Sequence, residues 1–336
     1  MRRIELTWLG GPEVERLELS DDEILAAVEA GLRAQGRSET VIHPRVHLMP
    51  WERSGRVRGH FNVLRGCIHP LGLAGVKVVG DFVDNYRQDL RSEMALLNLF
   101  DPETGVPLAV IDASDITEMR TGATTALGAK HLGRKDAKVL GHVGARGTSY
   151  WNVRLLDRLF DFAEIRVHSR RPESREAFAE RLRCDLGKDI VVADSWQACL
   201  EGADIMVEAS RLDRPEPLFR TAWIGKGACV IPYGTMSAVE LSLTDVMDKV
   251  VVDDWGQAGA GPYGALRAHV DSGRLSRDTL HAELGEIVAG LKPGREREDE
   301  TILFWHRGLS LSDIALGHAM LEKANSLGIG QKLRFQ

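Results

Sequence analysis

A lysine within an apolar stretch is the residue with the clearest chemical potential in the first third of the chain. Lys77 lies between Val76 and the pair Val78-Val79, and burying an ammonium group costs free energy unless the group has a partner or a function. Burial lowers the pKa of a lysine towards neutrality, where the amine can exchange protons. The structural alternative is an internal ion pair or a side chain that reaches solvent.

Two arginines extend this candidate site. Arg45 follows Pro44, and Arg120 lies on an early turn of a helix that the spacing predicts over residues 115–133. A guanidinium group presents parallel N–H donors that match the two oxygens of a carboxylate. Together with Lys77, the arginines predict a site that binds a carboxylate beside a proton-transfer group, although each cation alone also fits a structural role.

A glycine-containing turn forms a second candidate site. It joins a buried strand predicted over residues 138–143 to a helix predicted over 148–160. In the dinucleotide fingerprint G-x-G-x-x-G/A, the first glycine makes the turn and the second admits the pyrophosphate. Arg146 stands at the second glycine position and Ser149 at the third. The context still predicts a phosphate site at the helix N-terminus, and the alternative is an ordinary strand–helix turn. The candidate cofactor-binding residues here are Gly144, Ala145, Arg146, Gly147, Thr148 and Ser149, with Ala209 and Ser210 after a strand predicted over 204–208.

The end of the next predicted strand, over residues 164–168, bears on the choice of cofactor. An acidic residue there binds the ribose 2′-hydroxyl of NAD, whereas an arginine accommodates the 2′-phosphate of NADP. The chain has Ser169, Arg170 and Arg171 at this point and no acidic residue. This favours NADP(H) and leaves NAD(H) open. The alternative is that both arginines are merely solvated.

Composition narrows the class of protein that holds these sites. The chain has 336 residues, 43% of them hydrophobic and 27% charged, with a net charge of −6. These values exclude a disordered chain and argue against a general nucleic-acid binder. We find no apolar stretch of about 18 residues that predicts a membrane span or signal peptide. The four cysteines show no C-x-x-C spacing, so no metal site is predicted, and reduced, buried thiols in a cytoplasmic protein are expected.

The order of elements predicts an α/β protein with two domains. Residues 41–112 show short apolar runs and a hairpin, typical of a mixed sheet, and residues 138–255 alternate strands with helices, typical of a Rossmann-type doubly wound parallel sheet. We therefore expect an α+β substrate-binding and dimerisation domain over 1–120 with 311–336, and a dinucleotide-binding domain over 121–310. The last helix, over 309–326, is predicted to have no strand partner and, with the helix over 115–133, to connect the domains.

Several segments, in order along about residues 40–330, resemble the ornithine cyclodeaminase/μ-crystallin family. They are Gly75-Val76-Lys77-Val78-Val79, the hairpin from Leu99 to Ala109, Ile116-Thr117-Glu118-Met119-Arg120-Thr121-Gly122-Ala123, Leu284-Gly285-Glu286-Ile287-Val288-Ala289-Gly290 and Gly308-Leu309-Ser310-Leu311-Ser312-Asp313-Ile314-Ala315. The resemblance implies a homodimer with a nicotinamide cofactor on the central domain and a small amino or imino acid as substrate. It also implies that Arg45 and Arg120 hold the substrate α-carboxylate and that Lys77 is the catalytic acid/base.

The chain departs from the family at three places, one of which is Arg146 in place of a glycine at the cofactor turn. The cyclodeaminase run Gly-x-Asp-x-Pro-Gly-Lys, whose aspartate engages the substrate amine, is replaced by residues 232–241, which contain no aspartate. The usual Phe-Lys-Ser-x-Gly is replaced by residues 304–308, where His306 and Arg307 either face the substrate or cap the loop. The loops expected to form the side-chain pocket, 51–66 and 232–238, match no pattern that names a substrate.

These departures favour one activity over two others. We predict an NAD(P)-dependent oxidoreductase that acts at the α-carbon of an amino or imino acid, either an imine reductase or an amino-acid dehydrogenase, with Lys77 moving the proton. The first alternative is a cyclodeaminase-like ammonia-lyase that reduces and reoxidises NAD within one turnover. The second is a non-catalytic nucleotide-binding accessory protein, which the altered turn at Arg146 favours.

Overall fold

The computed structural model describes residues 3–50, 59–212, 214–261 and 263–336. The segment 51–58 of the predicted side-chain pocket therefore lies outside the described residues. The chain divides into two compact units, Met1–Arg120 with Leu309–Gln336, and Thr121–Gly308.

The elements of the described residues are numbered in chain order. The strands are β1 (Glu5–Leu9), β2 (Thr40–Ile42), β3 (Val46–Leu48), β4 (His60–Ile68), β5 (Leu73–Asp81), β6 (Glu93–Phe100), β7 (Pro107–Asp112), β8 (Val139–Val143), β9 (Glu164–His168), β10 (Ile190–Val192), β11 (Ile205–Glu208), β12 (Cys229–Pro232), β13 (Lys249–Val252), β14 (Ala282–Glu283), β15 (Ile302–Trp305) and β16 (Gln331–Arg334). The helices are α1 (Gly11–Glu15), α2 (Asp21–Gly36), α3 (Ser114–Leu132), α4 (Ser149–Phe160), α5 (Pro172–Leu186), α6 (Trp196–Leu200), α7 (Trp255–Ala258), α8 (Arg267–Asp271), α9 (Leu284–Val288) and α10 (Ser310–Leu327).

The first unit is a mixed sheet with helices on one face. Its strand order is β16-β1-β7-β6-β5-β4-β2, with β3 also paired to β4. β1 and β7 run parallel, and the other pairs are antiparallel. Side chains of β6 alternate between the two faces, so that Leu97 and Leu99 are buried while Met94 and Leu96 are exposed. Helix α10 packs against β4, β5, β6 and α2 and covers this sheet.

The last part of the chain differs from the prediction. Strand β16 follows α10 and pairs antiparallel with β1, so the expectation of a final helix without a strand partner was wrong. β16 is exposed along its whole length and therefore shows none of the alternating hydrophobicity that reveals a half-buried strand. Helix α10 lies wholly within the first unit instead of connecting the two, whereas α3 runs through the boundary after Arg120.

The second unit is an eight-stranded parallel sheet in the order β10-β9-β8-β11-β12-β15-β13-β14. The strand order reverses between β8 and β11, which marks the crevice where doubly wound sheets bind ligands. Strand β15 was not predicted. It is buried on both faces, and a four-residue apolar run of this kind cannot be assigned from periodicity.

Three further findings bear on the class of protein. No helix in the described ranges is long and apolar enough to cross a membrane. Across those ranges, no group of three His, Cys, Asp or Glu side chains is placed to hold a metal ion. The cysteines are free thiols; Cys199 and Cys229 are buried as expected, but Cys184 is exposed and Cys67 is half-buried.

We predict that Gly128→Ala destabilises the second unit. A Cβ at Gly128 would lie 2.3 Å from the ring of Phe304, which is fully buried and cannot retreat. Overpacking of this kind costs about 1–3 kcal/mol, more than the roughly 1 kcal/mol that alanine gains over glycine in a helix. Urea denaturation followed by circular dichroism measures the loss. Gly225→Ala, with nothing within 4 Å of the added carbon, is the control, and an unchanged midpoint for Gly128→Ala would contradict the packing described.

Candidate active site

Lys77 lies at the centre of a buried ionic cluster in the first unit. It is 1% exposed, in the middle of β5 on the face that α10 covers. Its Nζ donates to Thr117 Oγ1 at 3.0 Å and to Asp313 Oδ1 at 2.5 Å. An ammonium group has three donors, and these two bonds are its only ones to the described residues. The sequence predicted this burial and left the choice of partner open.

Arg120 joins the same carboxylate. Its Nε donates to Asp313 Oδ1 at 2.9 Å, and both side chains are buried. One oxygen of Asp313 thus accepts from two cations that come from β5 and α3. The other, Oδ2, is buried and accepts no hydrogen bond from the described residues. A buried polar atom without a partner in a native protein marks a place where a ligand or water is expected.

Burial and two neighbouring charges set the protonation of Lys77. Burial lowers the pKa of Lys77 to about 8; the charge of Asp313 opposes this change, and that of Arg120 adds to it. Lys77 is therefore an amine that can gain or lose a proton close to neutral pH. With two cations and one anion, the cluster has the charge needed to bind an anionic substrate group.

Asp313 was missed as a site residue. It stands fourth in α10 among buried apolar side chains, including Leu311 and Ile314. The signal in the sequence was an aspartate on the apolar face of a helix, where a charge is costly without a partner. Its partner Lys77 lies 236 residues away, so no local pattern connects the two.

Arg45 lies directly before β3 and is half-buried. The first residue of β3, Val46, pairs with Val63 of β4. The next residue of β4, Leu64, pairs with Lys77. Arg45 is therefore close in register to the ionic cluster within the first unit, and its contact with a substrate carboxylate stays a prediction.

The turn after β8 has the geometry of a phosphate site. Gly144 has φ +119°, and a Cβ there would lie 2.8 Å from Ala209 O. Gly147 has φ +55°, and a Cβ there would meet nothing within 4 Å. In the described chain, the N–H groups of Ala145 to Thr148 donate to no protein acceptor. Unpaired amides at a helix N-terminus fit the pyrophosphate of a dinucleotide.

The side chains of this turn have different partners. Ser149 is fully buried, and both its N–H and its hydroxyl bond to Arg146 O. Ser149 therefore closes the turn, because its N–H and its hydroxyl hydrogen are both donated within it. The Thr148 hydroxyl lies 2.6 Å from the Tyr233 hydroxyl, and Arg146 extends outward to Ser174 at 3.3 Å.

A small cavity lies between Arg170, which follows β9, and the segment after β11. Arg170 lies on it, and its Nη2 is 3.6 Å from Glu216. The cavity has a volume of about 360 Å³ and is lined by Arg170, Leu212, Arg214 and Glu216. Arg171 is exposed, and Ser169 donates its hydroxyl to Arg171 O. Of the residues predicted for a 2′-phosphate site, Arg170 thus lines this cavity, together with Arg214, which was not predicted.

His306 and Arg307 have separate environments. His306 is buried, lies 3.0 Å from Thr125 Oγ1, and stacks on Tyr233 with ring centroids 4.6 Å apart. Arg307 donates to the carbonyl oxygens of Gln257 and Ala260. Of the two predicted roles, Arg307 therefore caps a loop, whereas the ring of His306 is part of an aromatic stack after β12 and β15.

Comparison with known proteins identifies a family and relatives that match nearly the whole chain. The model of the ornithine cyclodeaminase/mu-crystallin family matches residues 9–328. An alanine dehydrogenase of Archaeoglobus fulgidus is 32% identical over 326 residues, 96% of each chain. The solved Delta(1)-pyrroline-2-carboxylate reductase of Thermococcus litoralis, in complex with NADH and L-proline, is 27% identical and superposes with a TM-score of 0.89 over 98% of this chain and 100% of its own. An archaeal alanine dehydrogenase dimer with bound NAD is 30% identical, with a TM-score of 0.89 over 99% of this chain and 100% of its own.

These comparisons confirm three of the predictions from sequence. The α/β fold class is that of the two solved structures. The relatives are dehydrogenases and reductases, two of them solved with NADH or NAD bound, which confirms the class of NAD(P)-dependent oxidoreductase. The family match spans nearly the whole chain. The chain belongs to the ornithine cyclodeaminase/mu-crystallin family.

Proposed function

We propose that this protein transfers a hydride between a nicotinamide cofactor and the α-carbon of a small amino or imino acid. The observation that carries the proposal is the buried cluster of Lys77, Asp313 and Arg120, which combines a proton-exchanging amine with a cationic fork. The cofactor supplies the hydride when bound. The protein orients the substrate and moves the proton that accompanies the hydride.

Each residue of the cluster has one role in this proposal. Arg120, with Arg45, binds the substrate α-carboxylate through the guanidinium fork. Lys77 Nζ gives a proton to the substrate nitrogen during reduction and takes it back during oxidation. Asp313 is a positioning residue, because its Oδ1 holds both Lys77 and Arg120. Its unpaired Oδ2 is a suitable acceptor for the N–H of an iminium or ammonium group.

One screen separates the proposal from its alternatives. Amino acids, and α-keto acids supplied with amines, are tested for a change in absorbance at the nicotinamide band. A net change supports the oxidoreductase. Ammonia release without a net change supports the cyclodeaminase-like lyase. A fluorescence response of the seven tryptophans to nucleotide, without turnover of any substrate, supports the non-catalytic nucleotide-binding protein.

We also propose that NADP(H) is the preferred cofactor. Arg170 and Arg214 line the cavity after β9, and two guanidinium groups suit a dianionic phosphate. The ion pair of Arg170 with Glu216 is mostly solvent-exposed, so exchanging it for a phosphate costs little.

The oligomeric state and location complete the proposal. Val46, Val63, Val78 and Leu96 form a row across four paired strands of the first unit, on the face opposite Lys77. Val46 and Leu96 are 50% and 44% exposed, and an apolar face of this kind suits a second copy of the chain in a homodimer. The free thiols fit a reducing compartment such as the cytoplasm.

Arg120→Lys is expected to raise KM for the carboxylate substrate. Lysine keeps the charge but loses the planar fork, and a lost charge-assisted hydrogen bond is worth about 1.5–3 kcal/mol, or roughly 10- to 150-fold. Cofactor affinity should not change, because the loss concerns substrate binding. Steady-state kinetics and nucleotide titration measure both. The control is Arg91→Lys, because Arg91 is an exposed arginine paired with Asp115. Weaker cofactor binding with an unchanged KM for the substrate would show that Arg120 has a structural role.

Asp313→Asn is expected to move the pH profile of reduction. The reductive step needs protonated Lys77, so kcat/KM falls as pH rises through the pKa of Lys77, about 8. The charge of Asp313 raises that pKa, and its removal lowers it, so the fall begins at a lower pH. Asp115→Asn, on the exposed side of α3, should leave the profile in place. If the pH profile of Asp313→Asn coincides with that of the wild type, Asp313 does not set the pKa of Lys77 in the reaction.

Arg170→Ala is expected to reduce kcat/KM for NADPH by about tenfold or more, the effect of one charge-assisted hydrogen bond. The value for NADH should stay within about twofold, because NADH has no 2′-phosphate. Lys226→Ala, an exposed lysine of the same unit, controls for net charge. A wild-type preference for NADH, or equal losses with both cofactors, would contradict the proposed site.

A further inference from the structure

A buried carboxylate lies at the ligand-binding edge of the parallel sheet, outside the roles given so far. Glu208 is the last residue of β11 and pairs with Val143 of β8 and Pro232 of β12. The strand order reverses between β8 and β11. Ligands of doubly wound sheets bind at the carboxyl ends of the strands at such a reversal, with one half of a dinucleotide on each side.

Backbone contacts hold the carboxyl group of Glu208 at this edge. The side chain is 0% exposed. One oxygen accepts from Ser210 N at 2.7 Å and the other from Gly234 N at 3.2 Å. A Cβ at Gly234 would lie 2.6 Å from the carboxylate. The carboxylate therefore lies against the loop that follows β12, in the half of the sheet away from β9 and β10.

No cation compensates this carboxylate within the described residues. Its partners are backbone N–H groups, and no lysine, arginine or histidine among them pairs with it. The titratable and charged side chains on the adjoining segments are His142 of β8, Arg146 of the turn, Arg211 after Ser210, and Tyr233. Burial lowers the pKa of His142 to about 4, so it is neutral, and both arginines are exposed. A buried charge in this state is costly unless a ligand compensates it.

We propose that Glu208 selects the redox state of the cofactor, because its carboxylate favours the positively charged oxidised nicotinamide over the neutral reduced ring. The inference rests on the proposed function, in which the second unit binds the dinucleotide. In that binding mode the nicotinamide half occupies the side of the crevice formed by β11 and the strands beyond it. Glu208 is thus a specificity-determining residue for the cofactor.

The same interaction couples cofactor binding to protons. Burial raises the pKa of Glu208 to about 7, and its hydrogen bonds to Ser210 and Gly234 limit the rise. A positive ring favours the ionised carboxylate and lowers this pKa on binding. Binding of the oxidised cofactor should therefore release a proton near neutral pH, and its affinity should rise with pH up to about 7. Binding of the neutral reduced ring should not change the pKa of Glu208 and should release no proton.

The test compares the dissociation constants of NAD⁺ and NADH for wild type and Glu208→Gln by tryptophan fluorescence. At about pH 8, Glu208→Gln should weaken NAD⁺ binding by about tenfold, the equivalent of one pKa unit, and NADH binding by less than about twofold. Asp253→Asn is the matched control. Asp253 is also fully buried and accepts two backbone N–H groups at 2.8 Å, but it follows β13, which β12 and β15 separate from β11.

The possible outcomes distinguish failure of this inference from failure of the proposed function. If Glu208→Gln weakens the binding of both nucleotides equally, Glu208 only connects two loops and the inference is overturned. The proposed function would still stand. Failure of the wild type to bind either NAD(H) or NADP(H) would instead contradict the proposed function. If Glu208→Gln does not fold, calorimetry of the wild type in two buffers of different ionisation enthalpy counts the protons released. Release with NAD⁺ alone supports the inference, and no release overturns it.

Discussion

The buried carboxylate of Asp313 is the constraint on which the rest of the first unit depends. One of its oxygens holds Lys77 of β5 and Arg120 of α3, so a strand and two helices meet at a single acceptor. Removing one partner of a buried ion pair costs about 3–5 kcal/mol, because the other charge stays buried without compensation. The chain therefore has to return to the first unit after Gly308 and deliver α10 to the sheet.

In the second unit, the corresponding feature is the set of backbone N–H groups in the turn after β8. In this turn, the N–H groups of Ala145 to Thr148 have no acceptor among the described residues. Gly144 lies too close to Ala209 for a side chain, and Ser149 closes the turn from inside. The Thr148 hydroxyl is tied to Tyr233. The resulting site presents backbone donors on rigid elements, which suits a phosphate that must be held in one position. In the proposed function, the first unit supplies the proton-exchanging cluster and the second supplies the dinucleotide site.

The sequence predicts the parts of this arrangement that have a local signal. A lysine among valines indicates its own burial, and a strand–turn–helix around Gly144 indicates a phosphate site. Asp313 escapes prediction because its partners lie far along the chain. β15 and β16 escape because one is buried on both faces and the other on neither, so neither alternates. Glu208 resembles the end of any buried strand until the sheet order places it at the reversal. What stays hidden is tertiary charge pairing, which no window of sequence contains.

The most direct test of the central claim is the rate of hydride transfer in Lys77→Met, measured by stopped-flow absorbance of the nicotinamide with a substrate found by the screen. Methionine fills much of the space of the lysine stem but holds no proton. The account predicts a loss of about 10²–10⁴-fold in the transfer rate, the range for general acid–base groups, with nucleotide affinity unchanged. A rate within about tenfold of the wild type would show that the cluster around Asp313 is structural and that the proton moves elsewhere.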